Sequence, residues 1–278
     1  MEVQTFYPEH PLLEKYIEYY YFLKTDDPDF RTAYYAFPNT LQAFNLHRAA
    51  TCDIGENTVT VRAQADAPPL VILQGRYEWP MLARLEGRLD KVTINFKPLG
   101  LNPFINGALG EIAPAFSQVF TQWPEVAWVD AFFQTSDLRE RVGILEEFLL
   151  ARFREPEDTP LMKAALEALT DFDGRPGIDD IARELAMTPR SFQRLFYKHM
   201  GVSPAAFRKI ARFRHSMGNK LFSYTFKTLT EIGYNSNFYD QSYFIKMYRK
   251  LTGDNPSNFF NSVDKLADDN LILKFIHE

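Results

Sequence analysis

Between Met187 and Lys250 the chain carries twelve cations and two acids. The cations are Arg190, Arg194, Lys198, Arg208, Lys209, Arg212, Arg214, Lys220, Lys227, Lys246, Arg249 and Lys250. The acids are Glu231 and Asp240, so the segment nets +10. Ammonium and guanidinium groups pair with phosphate oxygens, and arginine meets the O6/N7 edge of guanine with two parallel bonds. Two parts of this stretch repeat at an offset of 52 residues: Ser191 to Phe207 (SFQRLFYKHMGVSPAAF) and Tyr243 to Phe259 (YFIKMYRKLTGDNPSNF). Phe192 aligns with Phe244, Arg194 with Lys246, Phe196 with Tyr248, Lys198 with Lys250, and Gly201 with Gly253. In each copy, apolar residues at i, i+3 and i+4 form a stripe for burial, and the cations project from the other side. Glycine then suits a left-handed cap, and a polar-Pro step opens the next helix. Shorter helices, Ile178 to Leu185 and Thr228 to Tyr234, precede the copies. Helix, turn and exposed basic helix, occurring twice, predict a tandem helix-turn-helix with double-stranded DNA as its partner.

The second copy resembles the AraC family of bacterial transcription regulators. Leu229-Thr230-Glu231-Ile232-Gly233-Tyr234, Phe238-Tyr239-Asp240-Gln241-Ser242-Tyr243-Phe244, Tyr248-Arg249-Lys250-Leu251-Thr252-Gly253 and Pro256 follow that family's signature over about thirty residues. Departures are Gly233 for Ala, Asn237 and Ala186 for the two turn glycines, and Asn255 for Thr. The resemblance covers roughly Leu161 to Phe260. It implies a first recognition helix at Thr188 to Met200, with Arg190, Gln193 and Arg194 facing bases and Lys198 nearer a phosphate. It implies a second at Tyr239 to Leu251, with Gln241, Ser242, Tyr243 and Lys246 in the groove and Arg249 or Lys250 on the backbone. The helix Pro204 to Leu221 would join the modules, its Arg208, Lys209, Arg212 and Arg214 divided between phosphate contact and solvation. Asp240 reads as a helix-start partner. Phe192, Phe196, Phe244 and Tyr248 read as core.

These residues need a scaffold, and the chain divides accordingly. Residues 159–262 read as all-α. Thr159-Pro160, Thr188-Pro189, Ser203-Pro204 and Asn255-Pro256 each set a capping side chain before a proline at the first helical position. Residues 1–158 read as β-rich, ending in a helical segment at 136–155. Strands are expected at Ile17 to Lys24, Ala33 to Phe37, Leu41 to His47, Thr58 to Arg62, Leu70 to Gln74 and Lys91 to Lys97, separated by turn formers. The fold class is thus α+β in two domains: a cupin-like or small sandwich or barrel domain, then the tandem helix-turn-helix domain. The stripe Leu138, Val142, Leu145 and Leu149 packs either on the sheet or on a second copy of the chain. Residues 263–278 form a tail whose Leu271 to Ile276 (LILKFI) is apolar enough to dock on a domain surface or a partner.

The resemblance further implies that the β-rich domain senses a small molecule or mediates dimerisation. Gly75-Arg76-Tyr77 and Phe96-Lys97-Pro98-Leu99-Gly100 are similar to short strings in a subgroup of such domains. Tyr19-Tyr20-Tyr21-Phe22 with Tyr35, Phe37, Phe44 and Trp79 are candidate pocket residues, although alternation along a strand assigns most to a plain core.

The whole chain of 278 residues carries 31 Lys+Arg against 36 Asp+Glu, a net charge of −5. That total averages unlike parts: residues 159–262 net +6 and the remainder −11. One cysteine, Cys52, excludes a disulfide and a multi-Cys zinc site, and with them a DNA-repair methyltransferase fusion. The five histidines show no metal-ligand spacing, which removes a metal-dependent cupin enzyme; His47 and Cys52 read as structural. MEVQTFYPEH lacks the regions of a secretory signal, and no apolar run is long enough for a membrane span, so a cytoplasmic location is expected. The expectation is a non-enzymatic, sequence-specific DNA-binding transcription regulator with no cofactor or metal. A small-molecule effector, a homodimer and, for an activator, RNA polymerase are its other expected partners. The alternative is a ligand-binding or scaffolding protein with a degenerate DNA-binding head.

Overall fold

In the computed structural model, residues 2–123, 126–174, 176–221, 241–267 and 271–276 are described. The strands of the first half are β1 (Glu2–Phe6), β2 (Ile17–Lys24), β3 (Arg31–Ala36), β4 (Gln42–His47), β5 (Ala50–Ile54), β6 (Thr58–Ala63), β7 (Leu70–Gln74), β8 (Met81–Glu86), β9 (Asp90–Phe96) and β10 (Ser117–Val119). Two more, β11 (Asp264–Leu266) and β12 (Leu271–Ile276), come from the end of the chain. They form two six-stranded sheets, ordered β1-β2-β9-β4-β7-β10 and β11-β12-β3-β8-β6-β5. All pairings are antiparallel except β6 with β8.

The aromatic run of β2 is buried on both faces. Tyr20 and Phe22 join the core that also holds Phe44, Phe96 and Phe132, whereas Tyr19 and Tyr21 turn the other way. Period-2 alternation produces this split, and a second covering layer removes the solvent-exposed face that a one-sided sheet would keep. The covering layer is α2 (Val126–Gln134) with α3 (Leu138–Arg152); a short helix, α1 (Leu109–Ile112), precedes them. Val142, Leu145 and Leu149 of α3 are fully buried in this core, so the stripe packs on the sheet. Asp137 caps α3 by accepting from the backbone N–H of Arg139 and Glu140. Arg141 fixes it sideways, donating to both carboxylate oxygens of Asp90 at 2.7 and 2.9 Å.

The helical half contains α4 (Thr159–Thr170), α5 (Ile178–Glu184), α6 (Pro189–Met200), α7 (Pro204–Leu221), α8 (Gln241–Thr252) and α9 (Pro256–Ser262). Three of the four expected caps form. Thr188 accepts from Ser191 N–H, Ser203 from Ala206 N–H and Asn255 from Asn258 N–H, at 3.0–3.2 Å. Thr159 does not cap: it is already the first residue of α4, and its hydroxyl donates to the Pro156 carbonyl. Gly201 and Gly253 take the left-handed cap at φ 66° and 78°. Ala186 adopts φ 55° at the α5–α6 turn, where glycine would be at ease.

The halves interlock. Leu99, at φ 67°, inserts into the core of Met162, Ile181, Phe192 and Phe196. Gly100 follows so tightly on β2 that a Cβ there would lie 1.9 Å from the Tyr16 carbonyl oxygen, which only glycine tolerates. Phe37 and Ile272 enter the core of α7, α8 and α9 beside Phe213, Phe244 and Phe259. The tail therefore docks as a β-strand: β12 pairs with β3 in the register Leu273 to Ala36 through Ile276 to Ala33.

Candidate nucleic-acid interface

Helix α6 buries Phe192, Phe196 and Met200 and leaves Arg190, Gln193, Arg194, Tyr197 and Lys198 exposed. The exposed positions advance by three or four residues and so share one face. Helix α8 repeats the division. Phe244, Met247, Tyr248 and Leu251 are buried, and Gln241, Ser242, Tyr243, Lys246, Arg249 and Lys250 are exposed. Each face exists because the opposite one anchors the helix. Tyr248, fully buried, shares a hydrogen bond of 2.9 Å with Ser216 and ties α8 to α7. The helix expected at Thr228 to Tyr234, with Glu231, Asn237 and Asp240, lies outside the described residues.

The cations divide by partner. Arg190, Arg194, Lys246 and Arg249 form no ion pair among the described residues. Lys198 donates to Asp158 at 2.8 Å, and His199 Nε2 meets the same carboxylate at 2.9 Å. Lys209 and Lys250 both reach Glu78, at 2.6 and 2.9 Å. Burial alone would raise the Glu78 carboxyl, but the hydrogen bonds from Lys209 and Lys250 outweigh it and hold the group low. The Lys198 and His199 hydrogen bonds likewise depress Asp158. On α7, Arg212 lies over the Phe172 ring, and the Arg208 guanidinium is half-buried, its pKa lowered by burial and by Arg212. Arg214 is spent internally, donating to the carbonyls of Phe37 and Pro38 at 2.8 and 2.7 Å.

Sequence patterning missed Glu78, Asp158, the cavity position of Arg76, which it named only within the string Gly75-Arg76-Tyr77, and the inward course of Arg214. The last two border a cavity of about 70 Å³ beside β2 and β12. Tyr19, Tyr21, Tyr34, Phe37, Tyr77, Asn45 and Asn95 line it, together with Leu271, Ile272 and Leu273 from the tail. Among the expected pocket residues, Tyr19, Tyr21 and Phe37 are in its wall. Tyr20, Phe22 and Phe44 belong instead to the helix-covered core, Tyr35 is not in the wall, and Trp79 is 38% exposed. Arg76 donates through Nη1 to the carbonyls of Asn39 and Leu41, while its buried Nε and the buried Asn95 Nδ2 have no partner among the described residues. Burial lowers both guanidiniums to about 10, and neither meets a carboxylate among the described residues.

His47 is buried in β4, its pKa well below the usual range through burial and the nearby Lys91, and Cys52 is a half-buried free thiol. No group of three metal-ligating side chains occurs among the described residues, and no described helix is long and apolar enough to cross a membrane.

A family model for a helix-turn-helix domain matches residues 181–262. The arabinose operon regulatory protein of Escherichia coli (strain K12) is 26% identical over 136 residues, 46% of each chain. That of Salmonella typhimurium is 24% identical over 177 residues, 52% of this chain and 62% of the relative. The chain thus spans about half the length of the curated relatives it matches. Among solved structures, ToxT from Vibrio cholerae aligns over 94% of this chain and 98% of its own, with 13% identity and a TM-score of 0.48. The family match falls on the segment in which α6 and α8 present their paired polar faces, so residues 181–262 of this chain are a helix-turn-helix domain, carried behind a β-rich N-terminal half in a chain similar to the arabinose operon regulators.

Proposed function

We propose that the chain is a sequence-specific DNA-binding transcription regulator that sets α6 and α8 into successive major-groove segments on one face of the duplex. One observation carries the reading: both helices bury their aromatic side and expose the amide-bearing and cationic side, in the same register. Arg190, Gln193 and Arg194 on α6, with Gln241, Ser242, Tyr243 and Lys246 on α8, take the base-facing role. Lys198, Arg249 and Lys250 take the phosphate role. Arginine suits guanine O6/N7 and glutamine suits adenine N6/N7. Selection of bound duplexes from a random pool tests this directly: enrichment of one bipartite motif, its parts about one helical turn apart, is the expected outcome, and recovery of unrelated sequences contradicts it.

The β-rich half is the controlling part, working as a non-enzymatic sensor in the cytoplasm. Its cavity offers amide and phenol groups and two guanidiniums with no balancing carboxylate among the described residues, chemistry suited to a compact anionic effector. Because Arg214 and residues 271–273 border that cavity, ligand screening requires the full chain rather than residues 1–158.

A further inference from the structure

We infer that Glu78 and Asp158 restrain the DNA-binding half by occupying three of its cations: Lys250 and Lys198, proposed above for the phosphate role, and Lys209 of α7, which the inference adds to them. The restraint builds on the DNA-binding reading and adds a built-in competitor to it. Glu78 sits in the turn between β7 and β8, and its Oε2 accepts from Lys209 of α7 and from Lys250 at the end of α8. One carboxylate of the β-rich half therefore bridges two helices of the other. The Glu78 side chain is only 22% exposed, so these pairs are less screened than surface pairs. Two residues on, Pro80 seals the same contact, with its Cγ 3.7 Å from where a Cβ on Gly253 would stand. Asp158, just ahead of α4, holds Lys198 and His199 of α6 in the same manner.

The selectivity of these pairs is informative. Arg190, Arg194 and Lys246, proposed to face bases, make no ion pair among the described residues, whereas Glu78 and Asp158 take Lys250 and Lys198, proposed to face the backbone, together with Lys209. A carboxylate oxygen and a phosphate oxygen are equivalent acceptors for an ammonium group. A duplex docking on this arrangement finds its reading groups open and three anchoring charges already neutralised. Each lysine regained from a carboxylate adds one phosphate contact and the counterion release that goes with it.

The test measures binding of the full-length chain to a random-sequence duplex across a salt series, for wild type, Glu78→Gln and Asp158→Asn. Glu56→Gln is the control, since it removes the same charge from an exposed turn with no ion pair among the described residues. Glu78→Gln should bind about five- to tenfold more tightly at low salt, and its slope of log K against log salt should steepen by about 2. For Asp158→Asn the steepening should be about 1. Far-ultraviolet circular dichroism confirms that each variant is folded at the assay temperature. A gain no larger than that of Glu56→Gln, or an unchanged slope, overturns the restraint. Lack of binding by wild type and every variant contradicts DNA binding itself and removes the restraint with it.

Discussion

Ala186 stands where the α5–α6 turn requires a left-handed residue, at φ 55°. An L-residue with a Cβ carries about 1–2 kcal/mol of strain there, and glycine avoids it while losing some of that gain to greater freedom in the unfolded chain. Ala186→Gly should therefore stabilise the protein by up to about 1 kcal/mol, read from the urea midpoint at constant m-value; destabilisation would mean that the methyl group packs usefully. Single residues whose role is local were legible in the sequence. Gly201, Gly253, Thr188 and Asn255 are set by helix ends, and helix ends have a residue grammar. Thr159 misled because α4 starts one residue earlier than the Thr-Pro step suggests: Asp158 holds the N-cap position, its carboxylate turned to Lys198 and His199 of α6. Arg141 shows the opposite case. Nothing within its helix reveals that its side chain is 5% exposed and paired with Asp90 at 13%, since that pair spans 51 residues. Arg141→Met should cost about 3–5 kcal/mol by leaving Asp90 buried without its partner. A loss under about 1 kcal/mol would show that water reaches Asp90.

At the scale of elements, the expected strands at 17–24, 33–37, 41–47, 58–62, 70–74 and 91–97 coincide with β2, β3, β4, β6, β7 and β9 to within two residues at either end. They are apolar runs bounded by turn formers, which is the strongest local signal a strand gives. β1 (EVQTF) and β10 (SQV) are mostly polar, whereas β5 (ATCDI) and β8 (MLARLE) are as apolar as some expected strands; all four are fixed by the neighbours they pair with. The tail is the telling element. Its apolar character was plain, yet its partner is the edge of β3, more than 230 positions earlier in the chain, and no local pattern encodes that pairing. Leu273→Ala, which empties a buried position of β12, should cost about 2–5 kcal/mol in chemical denaturation. A negligible cost would mean that β12 adds little to the sheet. The contacts of Glu78 and Asp158 have their own pH signature. Both carboxyls are depressed in the folded chain, so their contribution is complete above the ordinary carboxylate range and is lost as pH falls through the depressed values. The difference in thermal midpoint between wild type and Glu78→Gln, present near about pH 6, should close toward about pH 3. A difference independent of pH would assign it to packing.

For the molecule as a whole, a net charge of −5 describes neither part, because an acidic β-rich half adjoins a basic helical one. The segregation was visible in the sequence, and its consequence was not. Glu78 of the β-rich half lies against Lys209 and Lys250 of the helical half, Asp158 at the start of α4 holds Lys198, and Arg214 leaves the cationic set to border the cavity. Composition counts charges, whereas the interface between the halves decides which remain available. Arg190, Gln193 and Arg194 of α6 and Gln241 and Lys246 of α8, proposed to read bases, are exposed, and the proposed function rests on them. Arg194→Ala and Lys246→Ala, measured against a duplex selected from a random pool and against random DNA, provide the most direct test. Each variant should lose about 1–3 kcal/mol on the selected duplex and much less on random DNA, with relaxed preference at one position of the motif. Equal losses on both duplexes would make these side chains phosphate contacts and contradict base readout by α6 and α8.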